Sequence, residues 1–389
     1  MVEAELDWSS PENVLLLNPE WPEKDRNSFK DLILRIPAQT STLWVATSGS
    51  SAKSFAEVKL VALKKVAFLE SAQAVNNHLR VTDQDVWGQV LPHFHVGGLG
   101  IVARAYLGGA QIFSCLPENK KWSGDYYYDC LSRFNITLSS LVPTQIYDLV
   151  KDRKTPPRSL RGIVVGGAAL SPELYFEARK LGWPLLPSYG LTEACSQVAT
   201  ASLESLKKSE FPRLQLLPHI ETKVTAEQRL VIRGKSLFSG YAYWDSENPV
   251  FKDPKVDGWF FTQDFCELIN KTLKPIGRKD EVFKIGGENV SLPRVREIVK
   301  NLLLKPEFSA LNILQFEIVH FEDPRLGTVL KWVVEENVDA DLFTQFSEEV
   351  SHSLLPFERP REVLRITKIP RSSIGKPLVE QIRNHKFKA

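Results

Sequence analysis

Between Leu43 and about Ala201, short β-branched runs alternate with longer amphipathic stretches. No other feature limits the fold as much, because such alternation is satisfied by successive βα units on a mainly parallel sheet. The spacing predicts strands over 43–46, 60–63, 86–91, 111–115, 137–142 and 162–165, and helices over 64–80, 96–107, 125–134 and 144–151. A further helix opens at Ser171-Pro172-Glu173, where the serine can cap orphan amides and the proline lacks only an N–H that would be unpaired anyway. Beyond residue 210 the strands shorten, at 221–224 and 229–233, with turns rich in Gly, Asp and Pro, which predicts a small β subdomain. From Ser291 the order is a helix, strands over 311–321 and 329–334, a helix over 341–354, a strand over 363–369 and a last helix. That order suits a small α+β domain. A chain of 389 residues is long enough for two domains. The expected division is 1–278 and 279–389, with the boundary at Arg278 to Asp280.

Lys and Arg total 49 against 47 Asp and Glu, a net charge of +2. A dedicated nucleic-acid or membrane-surface binder would carry a clustered basic excess, so neither is expected. Residues 1–17 hold Glu3, Glu5 and Asp7 where a secretory leader needs positive charge, and no apolar run approaches a membrane span. Cys115, Cys130, Cys195 and Cys266 are far apart and form no CxxC pair. They predict neither a disulfide framework nor a zinc site, and a soluble, cytoplasmic protein is expected.

Several short motifs carry chemistry. Thr47-Ser48-Gly49-Ser50-Ser51 follows a strand and crowds hydroxyls and a glycine into five positions. Its amides and hydroxyls could wrap a polyphosphate, although an ordinary solvated loop reads the same way. The Walker spacing is absent. Pro92-His93-Phe94-His95-Val96-Gly97-Gly98 lies where a strand passes into a glycine-rich apolar helix. In parallel sheets ligands bind at such junctions, so His95 is a candidate, with a structural hydrogen bond as the alternative. Gly166-Gly167-Ala168-Ala169 ends another strand with little side-chain bulk, which suits either a flat ring against the backbone or close helix packing. Tyr189-Gly190-Leu191-Thr192-Glu193 adds an aromatic face, a hydroxyl and a carboxylate. That carboxylate could hold Mg²⁺ on a nucleotide or cap a helix.

In this order, and continued by Asp257-Gly258-Trp259-Phe260-Phe261-Thr262-Gln263-Asp264, Gly277-Arg278-Lys279-Asp280, Lys284-Ile285-Gly286-Gly287-Glu288 and Pro370-Arg371-Ser372-Ser373-Ile374-Gly375-Lys376, the motifs resemble the adenylate-forming superfamily of acyl-CoA synthetases, luciferases and peptide-synthetase adenylation domains. The resemblance implies ATP, Mg²⁺ and coenzyme A acting on a small carboxylic acid, and leaves a homodimer open. It implies that Thr47 to Ser51 hold phosphates, that Gly166 to Ala168, Tyr189 and Gly190 border adenine, and that Thr192 and Glu193 organise phosphate and metal. Asp264 and Arg278 would take the ribose hydroxyls, Asp280 would be the hinge of a mobile C-terminal domain, and Lys376 would contact acid and α-phosphate. Gly286 and Gly287 would border the channel for the pantetheine arm.

The departures are specific. Ala52-Lys53-Ser54-Phe55-Ala56 stands where the family's Gly-x-Pro-Lys-Gly is expected, so Lys59 becomes the candidate phosphate lysine and Lys53 the alternative. About forty residues precede the loop where many relatives carry over a hundred, and Gln263 replaces the glycine of Thr-Gly-Asp. Within the superfamily, Leu141-Val142-Pro143-Thr144-Gln145, the Gly166 to Leu170 stretch, Gln263 and Leu354 to Pro360 are most similar to o-succinylbenzoate-CoA ligases of menaquinone synthesis. A fatty or aryl acyl-CoA synthetase and a nucleotide-binding relative without turnover are the alternatives. Gly97 and Arg104 are seven residues apart and share a helical face. An arginine there could read a second substrate carboxylate or pair with a neighbouring acid.

Overall fold

The computed structural model describes residues 6–46, 58–118, 121–278, 281–285, 288–372 and 375–387. Contacts divide the chain into two units, Met1–Thr262 with Glu267–Lys274, and Gln263–Cys266 with Pro275–Ala389. The division thus falls inside the strands Phe260–Ile269 and Thr272–Arg278, earlier than residue 278.

At the centre of the first unit five parallel strands lie side by side in the order Gln111–Ser114, Val86–Gln89, Leu138–Leu141, Gly162–Val165 and Leu185–Leu191. Four helices, Val96–Gly108, Gly124–Arg133, Pro143–Lys151 and Pro172–Lys180, make the crossovers. At the last of them Ser171 Oγ accepts from the Leu174 amide at 3.2 Å, with Pro172 at the first position. Crossover helices bury strands on both faces, and Leu138, Leu141, Ile163, Leu185 and Leu186 are all fully buried.

The strand Thr42–Ala46 is not part of this parallel set. It pairs antiparallel with Leu60–Lys64 in a second, five-stranded sheet that also holds Val14–Leu16, Gly240–Asp245 and Asn248–Lys252. Ser196–Thr200 likewise turns back against Leu185–Leu191, and Ile220–Val224 with Arg229–Gly234 forms an antiparallel pair in the expected β region.

The second unit contains a three-stranded sheet in which Gly327–Glu335 lies between Phe316–Asp323 and Val363–Ile366. Helices Leu292–Leu303 and Ala340–His352 bury Val295, Val299, Phe343 and Phe346 against Phe316 and Trp332 in one core. Among the described residues no helix is long and apolar enough to cross a membrane, and the four cysteines are buried and unpaired.

The two ends of the parallel strands do different work. Asp85, Thr137 and Arg161 each stand immediately before a strand. Arg161 donates to both Asp85 oxygens, at 2.8 and 2.7 Å, and Thr137 Oγ1 donates to the same carboxylate at 2.7 Å. Burial alone would raise the Asp85 carboxyl, but the bonds from Arg161, Thr137 and the Thr82 amide outweigh it and hold it below the usual range. Asp85→Ala is expected to cost about 3 kcal/mol by leaving a half-buried guanidinium unpaired. Because the folded-state pKa is depressed, this contribution is complete above the ordinary carboxylate pKa and is lost as pH falls through the lowered value. Urea melts of both proteins across the acid range check it; parallel pH profiles would contradict it.

Candidate active site

At the opposite, C-terminal ends of the strands, chemistry-bearing residues gather where ligands of open α/β sheets bind. The residues after Gly162–Val165 form a low rim. Gly167 has φ +81°, and a Cβ on Gly166 would come within 3.0 Å of Ser188 Oγ. Ser188 in turn donates to the Val165 carbonyl at 3.0 Å. Gly166 to Ala168 and Tyr189 therefore sit at the ends of adjacent parallel strands.

Just beyond Tyr189 the chain folds tightly. A Cβ on Gly190 would lie 1.9 Å from the Ser196 carbonyl oxygen, so no other residue fits the irregular pairing with Ser196–Thr200. Thr192–Ala194 makes a single 3₁₀ turn, after which Cys195 and Ser196 both take positive φ, 54° and 106°. Non-glycine residues adopt such values only when their surroundings enforce them, and they concentrate at functional sites. The turn holds Glu193 half-buried, with its carbonyl accepting from the Phe238 amide at 2.8 Å and its Oε1 accepting from Tyr241 Oη at 2.6 Å. The Lys59 ammonium lies over the Tyr241 and Tyr243 rings, 5.5 and 5.1 Å from their centroids. Lys59 and Glu193 are thus brought together through Tyr241, which the sequence reading did not single out. Its only sequence signal is the aromatic-flanked glycine of Phe238-Ser239-Gly240-Tyr241.

The helix Val96–Gly108 begins at His95, whose ring packs on Phe94 at 4.8 Å. A Cβ on Gly98 would lie 2.3 Å from the carbonyl oxygens of Leu91 and Pro92, so this glycine lets the helix start directly on the strand end. Gly97 is less constrained, 3.3 Å from Leu91 Cδ1. Arg104 is only 2% exposed, and its guanidinium lies over the Trp87 ring at 5.7 Å. Its Nε and Nη1 are buried without a hydrogen-bond partner, and no carboxylate among the described residues pairs with it. Burial pushes the guanidinium down to about 9, which leaves it charged at neutral pH. A cation so placed needs an anion that the described part of the chain does not provide.

In the second unit Asp264 is buried, and its Oδ1 lies 3.5 Å from Arg278 Nη1, so the two residues assigned to ribose are neighbours. Lys376 closes a turn in which Ser372 N donates to the Lys376 carbonyl at 2.7 Å, while Arg371 Nη1 donates to the Gly375 carbonyl at 3.1 Å. Burial first, and the charge of Arg278 second, lower the Lys376 ammonium, against an upward pull from Glu281 and Asp264. Thr47, Ser48, Gly49, Ser50, Ser51, Lys53, Asp280, Gly286 and Gly287 lie outside the described residues.

The described residues contain no cluster of three or more side chains able to hold a metal by themselves. A single carboxylate nevertheless fits Mg²⁺, which takes one or two carboxylates and completes its shell with phosphate oxygens and water.

With this fold and these strand-end motifs, the chain belongs to the AMP-binding enzyme family, which it matches over residues 37–242. It is similar to the 2-succinylbenzoate–CoA ligase of Staphylococcus epidermidis, 28% identical over 316 residues, and to that of Escherichia coli, 31% identical over 297. These matches cover 79% and 76% of this chain but only 63% and 58% of the two relatives. Its fold is similar to that of o-succinylbenzoate CoA synthetase (MenE) from Bacillus subtilis in complex with the acyl-adenylate intermediate OSB-AMP, with TM-score 0.73 and 22% identity over 97% of this chain and 79% of that one. Escherichia coli MenE with bound OSB-AMS gives TM-score 0.70 at 24% identity, covering 92% of this chain and 84% of that one.

Proposed function

We propose that the chain is an ATP-dependent acid–CoA ligase that works through an acyl-adenylate, with o-succinylbenzoate as its acid and the cytoplasm as its site of action. Family membership and the likeness to 2-succinylbenzoate–CoA ligases support the reaction class. The observation that carries the acid is Arg104, a buried charged side chain with unpaired nitrogens on a glycine-rich helix at the strand ends. A dicarboxylate offers it the carboxylate not consumed in the reaction. A fatty or simple aryl acid would leave that charge unanswered.

In the first half-reaction one substrate carboxylate attacks the α-phosphate of ATP and pyrophosphate leaves. In the second the CoA thiolate displaces AMP from the mixed anhydride, giving thioester and AMP. Bound Mg²⁺ would neutralise phosphate charge. The chain's own part is positioning and electrostatics, since no general base is needed to activate an ionised carboxylate. Gly166 to Ala168 and Tyr189 border the adenine, Asp264 accepts from the ribose hydroxyls beside Arg278, and Lys59 with the Thr47 to Ser51 loop meets the phosphates. Glu193 provides the metal-binding carboxylate, with Thr192 beside it, and Lys376 provides a point charge during adenylation. Gly286 and Gly287 border the pantetheine path, and Asp280 is the hinge. His95, at the head of the helix that carries Arg104, is the remaining candidate catalytic group.

An acid panel scored by acyl-CoA formation tests this reading directly. Arg104→Leu should raise KM for o-succinylbenzoate roughly 30-fold or more, the loss of a buried charge-assisted contact. KM for a benzoate-type monocarboxylate should change far less. Equal losses for both acids would return Arg104 to a purely structural role.

A further inference from the structure

We propose that Tyr241 is a positioning residue for the metal-binding carboxylate: its hydroxyl occupies Glu193 Oε1 and thereby presents Oε2 to the nucleotide-bound divalent cation. The inference rests on the reading of Glu193 given above and extends it to a residue outside that reading.

Tyr241 reaches Glu193 because one sheet pairing and one backbone hydrogen bond place it there. Its strand, Gly240–Asp245, pairs with Leu60–Lys64, putting Tyr241 opposite Val61, and the Phe238 amide donates to the Glu193 carbonyl at 2.8 Å. The Tyr241 ring also packs on Phe238, with centroids 4.7 Å apart. Lys255 fixes Phe238 from the other side, donating to its carbonyl at 2.6 Å with its ammonium 4.7 Å from the ring centroid. Backbone and side chain of Glu193 are therefore held by the same short segment, 238–241.

Tyr241 Oη donates to Glu193 Oε1 at 2.6 Å, within the normal range for an O–H···O hydrogen bond. One carboxylate oxygen is thereby engaged, while Oε2 makes no hydrogen bond or ion pair with any described residue. A lone carboxylate on a short 3₁₀ turn has several rotamers, and a fixed partner selects one before the metal arrives. Lys59 lies over the Tyr241 ring face, 5.5 Å from its centroid, a contact that helps hold the ring in place. Outer partners of metal ligands commonly alter affinity by about 10–100-fold when removed.

The test uses the full chain with ATP and Mn²⁺ as the spectroscopic stand-in for Mg²⁺, its binding to the protein–nucleotide complex followed by electron paramagnetic resonance. Tyr241→Phe keeps the ring and deletes only the hydroxyl. It should weaken Mn²⁺ binding in the ternary complex about 10–100-fold, with metal-free ATP binding within about twofold of the parent and no change in the circular dichroism spectrum. The pair Tyr241→Phe and Glu193→Gln should lose no more affinity than Glu193→Gln alone, since residues acting on one contact are not additive. Mn²⁺ binding unchanged or tighter in Tyr241→Phe, or fully additive losses, would overturn the inference while leaving the function intact. Failure of the parent protein to bind Mn²⁺–ATP at all would instead overturn the assignment of Glu193 and the inference with it.

Discussion

Glu193→Gln is expected to lose ATP–pyrophosphate exchange by a factor of about 10² or more, the scale of deleting one group that stabilises transition-state charge. Glutamine keeps the shape of the side chain, and its amide oxygen can still accept the Tyr241 hydroxyl that now bonds Oε1. The tight turn over Thr192–Ala194 and the Phe238 amide bond to the Glu193 carbonyl are backbone features, so the substitution leaves them in place. What disappears is the negative charge, and with it the protein's share of the metal site. The signature should therefore be a rise in the Mg²⁺ concentration needed for exchange, partly recovered at high Mg²⁺, in a protein that melts normally. Near-normal exchange at ordinary Mg²⁺ would remove Glu193 from the chemistry.

The second large effect is expected at Lys376 and should split the two half-reactions. Lys376→Ala should reduce adenylation about 10²-fold or more, yet still convert supplied acyl-adenylate and CoA to thioester. The Lys376 backbone is held by hydrogen bonds to Ser372, and the half-buried side chain has its ammonium lowered mainly by burial, as suits a point charge that meets an anion. Alanine removes that charge without altering the backbone bonds between residues 372 and 376. Assays of both half-reactions on the same preparation decide the matter, and equal losses in the two would show that Lys376 supports the fold or both steps alike.

Much of the framework was legible because apolar periodicity and cap chemistry agree along the chain. The helix expected over 96–107 is observed at Val96–Gly108, and Ser171 caps its helix as its residue type predicts. The strand expected from residue 311 begins only at Phe316, because the Asn312 side chain accepts from the Leu314 amide at 2.9 Å and draws 313–315 into a 3₁₀ turn. Such local side-chain bonds compete with extended structure and leave no periodic trace. The helix Glu23–Arg35 went unread because only Phe29 and Leu32 are buried in an otherwise charged segment. Placement of Thr42–Ala46 outside the parallel set depends on its return partner Leu60–Lys64, which alternation alone does not reveal.

The site shows the same division. Glu193, Asp264, Arg278 and Lys376 were visible as members of ordered motifs, and Arg104 as a charge on a face too apolar to hold one. What the sequence could not show for Arg104 is that its Nε and Nη1 are buried without a hydrogen-bond partner. Tyr241 could not be read in advance, since it meets a residue 48 positions away only through the pairing of distant strands.

Acid-dependent exchange of labelled pyrophosphate into ATP, run on the intact chain with Mg²⁺ and followed by thioester formation on adding CoA, tests the central claim most directly. The account predicts exchange that requires o-succinylbenzoate, is not replaced by fatty or simple aryl acids, and is followed by o-succinylbenzoyl-CoA and AMP in equal amounts. ATP binding without exchange in the presence of any acid of the panel would contradict it and leave a nucleotide-binding protein without turnover.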